Sequence, residues 1–131
     1  MNNAINWPAP PWDMESAAAR LRLLEADFNT MDAQKISANY TDDAEARFGT
    51  EFLTGRIAIG NYLNRDFSGK KSLSVKLDLW GALKGRMAVR YEEEWKDEKD
   101  APFKTYGVEV FQFDEQGFIE RHFAGFNNLA G

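Results

Sequence analysis

After Asp13, apolar residues recur every three or four positions. Ala17, Leu21, Leu24, Phe28 and Met31 fall on one stripe, the signature of an amphipathic helix. Asp13 is positioned to cap that helix, and Glu15 puts an anion in the first turn, where the helix dipole favours one. Arg20, Arg22, Glu25 and Asp27 lie off the stripe. Asp32 can cap a second, shorter helix through Ala33, Ile36 and Tyr40. Tyr40-Thr41-Asp42-Asp43 reads as a turn, and Ala44 to Phe48 as a short strand. Thr54 is the expected cap of a third helix that buries Ile59, Tyr62, Leu63 and Phe67 and stops at Gly69.

From Leu73 onward the period changes to two. Leu73, Val75, Leu77 and Leu79 alternate with Ser74, Lys76 and Asp78, as in a half-buried strand. After a turn at Lys84-Gly85, Met87, Val89, Tyr91, Glu93 and Trp95 share one face of the next strand. Phe103, Thr105, Gly107, Glu109, Phe111 and Phe113 share a face of the one after. Asp114 to Gly117 is a hairpin turn, and the last strand puts His122, Ala124 and Phe126 on one side. The order predicts a single α+β domain over residues 14–131, with helices on one face of a curved sheet. Trp7-Pro8-Ala9-Pro10-Pro11-Trp12 cannot be helical, so residues 1–13 are expected to form an extended arm.

Composition narrows the function classes. The chain has 131 residues and a net charge of −5, which disfavours nucleic acid as a partner, because phosphates need clustered Lys and Arg. It has no Cys, which excludes disulfides and thiolate chemistry. It has one His, His122, so a multi-histidine metal site is excluded and no cofactor is expected. No apolar run reaches the roughly 18 residues that span a bilayer. The first basic residue is Arg20, so the positive start of a signal peptide is lacking. No membrane association and a cytoplasmic location are the expectation. Aromatic residues make up 14%, enough for a core and a cavity wall.

The first helix ending in Phe28-Asn29-Thr30-Met31-Asp32, then Tyr40-Thr41-Asp42-Asp43-Ala44, Phe52-Leu53-Thr54-Gly55-Arg56-Ile57-Ala58-Ile59 and Phe111-Gln112-Phe113-Asp114-Glu115-Gln116-Gly117 carry a likeness in order and spacing over about residues 14–129. The chain resembles the nuclear transport factor 2-like, or SnoaL-like, superfamily. Within it the chain is most similar to a bacterial group of SnoaL-like proteins with no assigned function. The resemblance implies a cone-shaped, curved, mixed or antiparallel sheet with three helices packed around a pocket. It also implies a homodimer through the outer sheet face, where Arg90, Glu92, Glu94, Tyr106, Val108 and Val110 lie. Superfamily members include isomerases, dehydratases, cyclases and an epoxide hydrolase, and others only bind ligands.

Four residues are candidates for chemistry. Glu109 lies on a Phe-rich face, where lost hydration raises a carboxyl pKa and suits it to proton transfer. It also matches the strand that carries the oxyanion-stabilising acid in ketosteroid isomerase. The alternative is a Glu paired with an Arg or with backbone donors in the pocket wall. Glu93 lies on the neighbouring strand. Two close carboxylates would share a proton, whereas a slip of one residue would turn Glu92-Glu93-Glu94 into a solvated edge. His122 is a candidate proton shuttle, or a hydrogen-bonded structural residue. Tyr91 can supply a phenol donor, or simply fill core. Phe48 stands where ketosteroid isomerase keeps its proton-abstracting Asp, so that route is not supported. The Asp-Arg-Asp arrangement of epoxide hydrolysis also lacks a match. Phe48, Trp80, Trp95, Phe111 and Phe126 are the expected apolar lining for a small apolar or aromatic molecule. Two functions follow as alternatives: a cofactor-free isomerase, dehydratase or cyclase, or a non-catalytic ligand-binding or dimerisation module.

Overall fold

The computed structural model of the chain describes residues 6–131. Three helices come first: α1 (Met14–Asn29), α2 (Ala33–Ser37) and, after a short hairpin, α3 (Arg56–Ser68). The strands are β1 (Tyr40–Phe48), β2 (Glu51–Thr54), β3 (Lys71–Leu83), β4 (Arg86–Lys96), β5 (Pro102–Phe113) and β6 (Ile119–Ala130). They form one six-stranded sheet in the order β2-β1-β6-β5-β4-β3. β1 runs parallel to β6, and the other neighbours are antiparallel. The sheet is mixed and does not close on itself.

Asp13 caps α1 as expected: its carboxylate accepts from the Ser16 amide at 2.8 Å, and the Ser16 hydroxyl answers the Asp13 amide at 3.1 Å. Ala17, Leu21 and Leu24 are fully buried, and each leucine contributes about 1.5–3 kcal/mol by leaving water. The polar residues off that stripe have a second task. β3 is an edge strand, with backbone groups that lack a strand partner. Glu25 Oε2 accepts from the Leu77 amide at 2.7 Å, and Asn29 bonds both the amide and the carbonyl of Val75 at 2.8 and 2.9 Å. Arg22 donates to the Leu77 carbonyl. The helix therefore covers the edge that β3 would otherwise offer to another chain.

Several local expectations are corrected. Tyr40 to Asp43 is not a turn; it opens β1, and Tyr40 pairs with Ile119 of β6. Glu51–Thr54 forms a strand that the sequence pattern did not reveal. Thr54 does not cap α3. Gly55 does, at φ +97 and without a side-chain bond, while Arg56 ties the helix start to the Tyr40 carbonyl at 2.7 and 3.0 Å.

Of the expected arm, residues 1–5 lie outside the described residues. From Asn6 onward it docks on the domain's own surface. The Trp7 ring lies 3.9 Å from the guanidinium carbon of Arg20, and its Nε1 donates to the Gln116 carbonyl at 2.9 Å. Trp12 packs edge-on against Phe113. Arg20 is fully buried and forks onto the Gly117 carbonyl at 3.0 and 3.1 Å. Burial pulls its pKa down to about 10, against the pull of Asp27 and Tyr40, so it stays charged at neutral pH. Gly117 has φ +90, and a Cβ there would sit 2.7 Å from Trp7 Nε1, so both the turn and the docked ring require glycine. Among the described residues, no helix is long and apolar enough to cross a membrane.

Candidate functional site

The inner faces of β3 to β6 and the inward side of α3 enclose a cavity of about 230 Å³. Strand alternation sets its wall. In the β4–β5 register Val89 faces Glu109, Tyr91 faces Gly107, and Glu93 faces Thr105. In the β5–β6 register Glu109 faces Ala124 and Phe111 faces His122. Helix α3 adds Tyr62, Asp66 and Phe67, and the end of α1 adds Phe28.

The floor holds a chain of three buried polar side chains. The Tyr40 hydroxyl lies 2.8 Å from His122 Nδ1, and His122 Nε2 lies 2.6 Å from Glu109 Oε1. All three residues are buried. Phe111 stacks on the imidazole with ring centres 4.1 Å apart, and Phe48 meets it edge-on at 4.9 Å. Proton counting fixes the direction of this chain. The Tyr40 hydroxyl meets no other partner among the described residues, so its proton goes to His122 Nδ1. Nδ1 is then the acceptor and Nε2 carries the ring proton, donating it to Glu109. A carboxylate that accepts from a neutral imidazole is ionised. Its second oxygen, Oε2, meets no hydrogen-bond donor among the described residues, and Glu109 lines the cavity.

Two phenols, Tyr91 and Tyr62, line the same cavity. Burial pushes the Tyr91 hydroxyl far above the usual phenol range, with Glu109 and then Glu93 adding to the shift. Burial, with Asp66 next, pushes Tyr62 up to about 12. Both remain protonated at neutral pH. The Tyr91 ring rests on Gly107, where a Cβ would lie 2.4 Å from Tyr91 Cε1.

The opposite end of the cavity is charged. Lys70 Nζ lies 2.9 Å from Asp66 Oδ2 and 3.0 Å from Glu93 Oε1, and 5.0 Å from the centre of the Trp95 ring. Burial works against the lysine's charge, but Glu93 and Asp66 outweigh it and hold its pKa above the ordinary 10.5. Burial raises Glu93 above the ordinary 4.5, and Lys70 offsets only part of that. Trp95 Nε1 donates to Thr105 Oγ1 at 3.0 Å, and that hydroxyl bonds Asn128 Oδ1 at 2.6 Å.

Glu109, Glu93, His122, Tyr91, Phe48, Trp95 and Phe126 therefore all line one cavity. Phe111 lies behind His122 rather than on the wall. Phe111 was expected in the lining, and two further expectations are corrected as well. Trp80 is not in the lining: it follows Ser74, Lys76 and Asp78 on the outward side of β3, and the ring is 72% exposed. Glu93 and Glu109 are not a proton-sharing pair, because Glu93 is bound to Lys70 and Glu109 to His122, not to an arginine. No arginine lines the cavity. Tyr40, Tyr62, Asp66 and Lys70 were not foreseen. Asp66 and Lys70, four apart at a helix end, were the available signal for an ion pair.

Residues 10–130 match the family described as "Protein of unknown function (DUF1348)". The chain belongs to this family. No curated protein matches this DUF1348 member in sequence. Its fold is that of the SnoaL-like, nuclear transport factor 2-like superfamily, as solved structures show. SalBIII, described as an epoxide hydrolase/cyclase-like enzyme in pyran ring formation in the polyether salinomycin, is similar with a TM-score of 0.78 and 18% identity, over 91% of this chain and 98% of its own. A candidate isomerase from Bacillus subtilis is similar with a TM-score of 0.72 and 15% identity, over 86% of this chain and 87% of its own. At these identities the likeness establishes the fold alone.

Proposed function

We propose that this DUF1348 protein binds a small ring-bearing molecule in the cavity and catalyses cofactor-free proton transfer on it, as an isomerase, dehydratase or cyclase does. One observation carries the reading. Glu109 is a buried carboxylate lining an aromatic-walled cavity, with Oε1 held by His122 and Oε2 without a hydrogen-bond donor among the described residues. Such a group is oriented and poorly hydrated, the condition in which a carboxylate abstracts a proton effectively. Glu109 is the base, Tyr91 the donor to the charge that develops on the substrate, and His122 orients Glu109. Glu93 belongs to the ion-paired end and is not the second acid. The two solved relatives support an enzyme-type scaffold and leave the reaction open.

The test is deuterium exchange. Ring ketones such as cyclohexanone and 1-indanone are incubated with the protein in D2O, and loss of the α-proton signal is followed by NMR. The wild type accelerates exchange over buffer, and Glu109→Gln loses that acceleration by on the order of 10²-fold or more. Equal exchange by both proteins, or none above buffer by either, overturns the proposal and leaves a ligand-holding role.

The proposal extends to assembly. One row of neighbouring positions crosses the outer sheet face: Ala88, Val110, Phe123, Arg47 and Phe52. Phe52 is 77% exposed and Val110 50%. An exposed row that is apolar except for Arg47 suits a self-complementary contact, and we assign it to a homodimer.

A further inference from the structure

Among the described residues, five ionisable side chains besides the phenols of Tyr62 and Tyr91 line the cavity: Asp66, Lys70, Glu93, Glu109 and His122. Lys70 is the only one with a permanent positive charge. It is largely buried, with 11% of its side chain exposed, and its ammonium is bonded to carboxylates on two sides. Those carboxylates come from different elements, Asp66 from α3 and Glu93 from β4, so the arrangement is not a chance helix pair. With His122 neutral, the wall carries three negative charges and one positive. A ligand carboxylate or phosphate would have to displace Asp66 or Glu93 from Lys70 while facing Glu109 inside a weakly screening space. A neutral ring can rest on Phe28, Phe48, Phe67 and Phe126 and leave both Lys70 ion pairs intact.

We propose that Asp66 and Glu93 are specificity-determining residues: they occupy Lys70 and so close the cavity to anionic ligands, which makes the substrate class uncharged ring-bearing molecules. The inference deepens the proposed function by naming its substrate class, and it rests on that reading only for the location of the site. It concerns which molecules enter, and its test needs no turnover.

The probes are 3-phenylpropanol and 3-phenylpropionate, alike in size and differing in charge, titrated by calorimetry at neutral pH. The wild type binds the alcohol at least about tenfold more tightly than the carboxylate, the ratio that corresponds to one ordinary increment of binding energy. In Asp66→Asn/Glu93→Gln, Lys70 is released, and affinity for the carboxylate rises by about tenfold or more while that for the alcohol changes little. The expected result is a gain of binding, which a damaged fold does not produce. The single variant Glu93→Gln, expected to move the same way by less, serves if the double variant does not fold. Equal wild-type affinity for both probes, no binding of the alcohol, or unchanged carboxylate affinity in the folded variants each overturns the proposal. Deuterium exchange that depends on Glu109 would survive all three results, so failure here and failure of the proton-transfer reading are separate outcomes.

Discussion

The Tyr40 hydroxyl meets His122 Nδ1 across 2.8 Å, although the two residues are 82 positions apart in sequence. The contact exists because β1 runs parallel to β6 and brings the start of the first strand beside the hairpin that opens the last. It determines which imidazole nitrogen faces Glu109. Removing it leaves a buried acceptor without a donor, which costs about 1–3 kcal/mol. Tyr40→Phe is expected to lower stability by that amount in chemical denaturation. A stability equal to wild type would mean that the hydroxyl does not hold the ring.

Gly107 faces the Tyr91 ring across the β4–β5 pair. A Cβ there would also come within 2.6 Å of the Gly125 carbonyl oxygen, and backbone cannot move aside as a flexible side chain can. Gly107→Ala is expected to destabilise the fold by about 1–3 kcal/mol and to weaken ring binding by displacing Tyr91. Thermal melting and probe titration read the two effects.

The Lys70 cluster gives two pH dependences of the same sign in different pH ranges. Lys70 has a folded-state pKa above 10.5, so its contribution to stability is complete below that pH and is lost as pH rises through the folded value. Glu93 has a folded-state pKa above 4.5 because of burial. Its contribution is greatest below 4.5 and declines as pH rises through the raised value. Relative to wild type, Lys70→Met is expected to lack the alkaline loss and Glu93→Gln the decline on the acid side. Melting temperatures across pH for the three proteins check both signs.

The docked arm is a structural clasp remote from the cavity. Trp7→Ala removes a ring stacked on the buried Arg20 and a hydrogen bond to Gln116. A loss of about 1–2 kcal/mol is expected, with probe binding unchanged. Altered probe binding would show that the arm reaches the site.

On the outer face, Val110→Glu puts a charge in the middle of the exposed apolar row. Sedimentation is expected to show a dimer for the wild type and a monomer for the variant. A monomeric wild type would remove the interface.

Regular alternation made much of this architecture legible. The period-two runs from Leu73 onward put Glu109, His122, Tyr91 and Glu93 on inward faces, and the strand pairing keeps them there. Trp80 was legible too, because it continues the outward row of Ser74, Lys76 and Asp78; only its aromatic character pointed to the lining, against that alternation. What failed otherwise depends on distant partners. Tyr40 precedes Thr41-Asp42-Asp43, a polar run with the composition of a turn, and only pairing with a strand 79 residues later at Ile119 makes it extended. Lys70 follows Gly69, where the sequence marks only the end of a helix. Its Glu93 partner is 23 residues away on another element.

The direction of the Tyr40–His122–Glu109 chain is the claim on which the proposed chemistry depends, and the single histidine makes it measurable without assignment. Nitrogen-15 NMR of protein labelled in histidine is expected to show, at pH 7.5, a neutral ring protonated at Nε2 and bare at Nδ1, with Glu109 therefore ionised and able to act as a base. A proton on Nδ1, or on both nitrogens, would contradict the account, because Tyr40 would then accept rather than donate and Glu109 would no longer be a carboxylate held by a neutral imidazole.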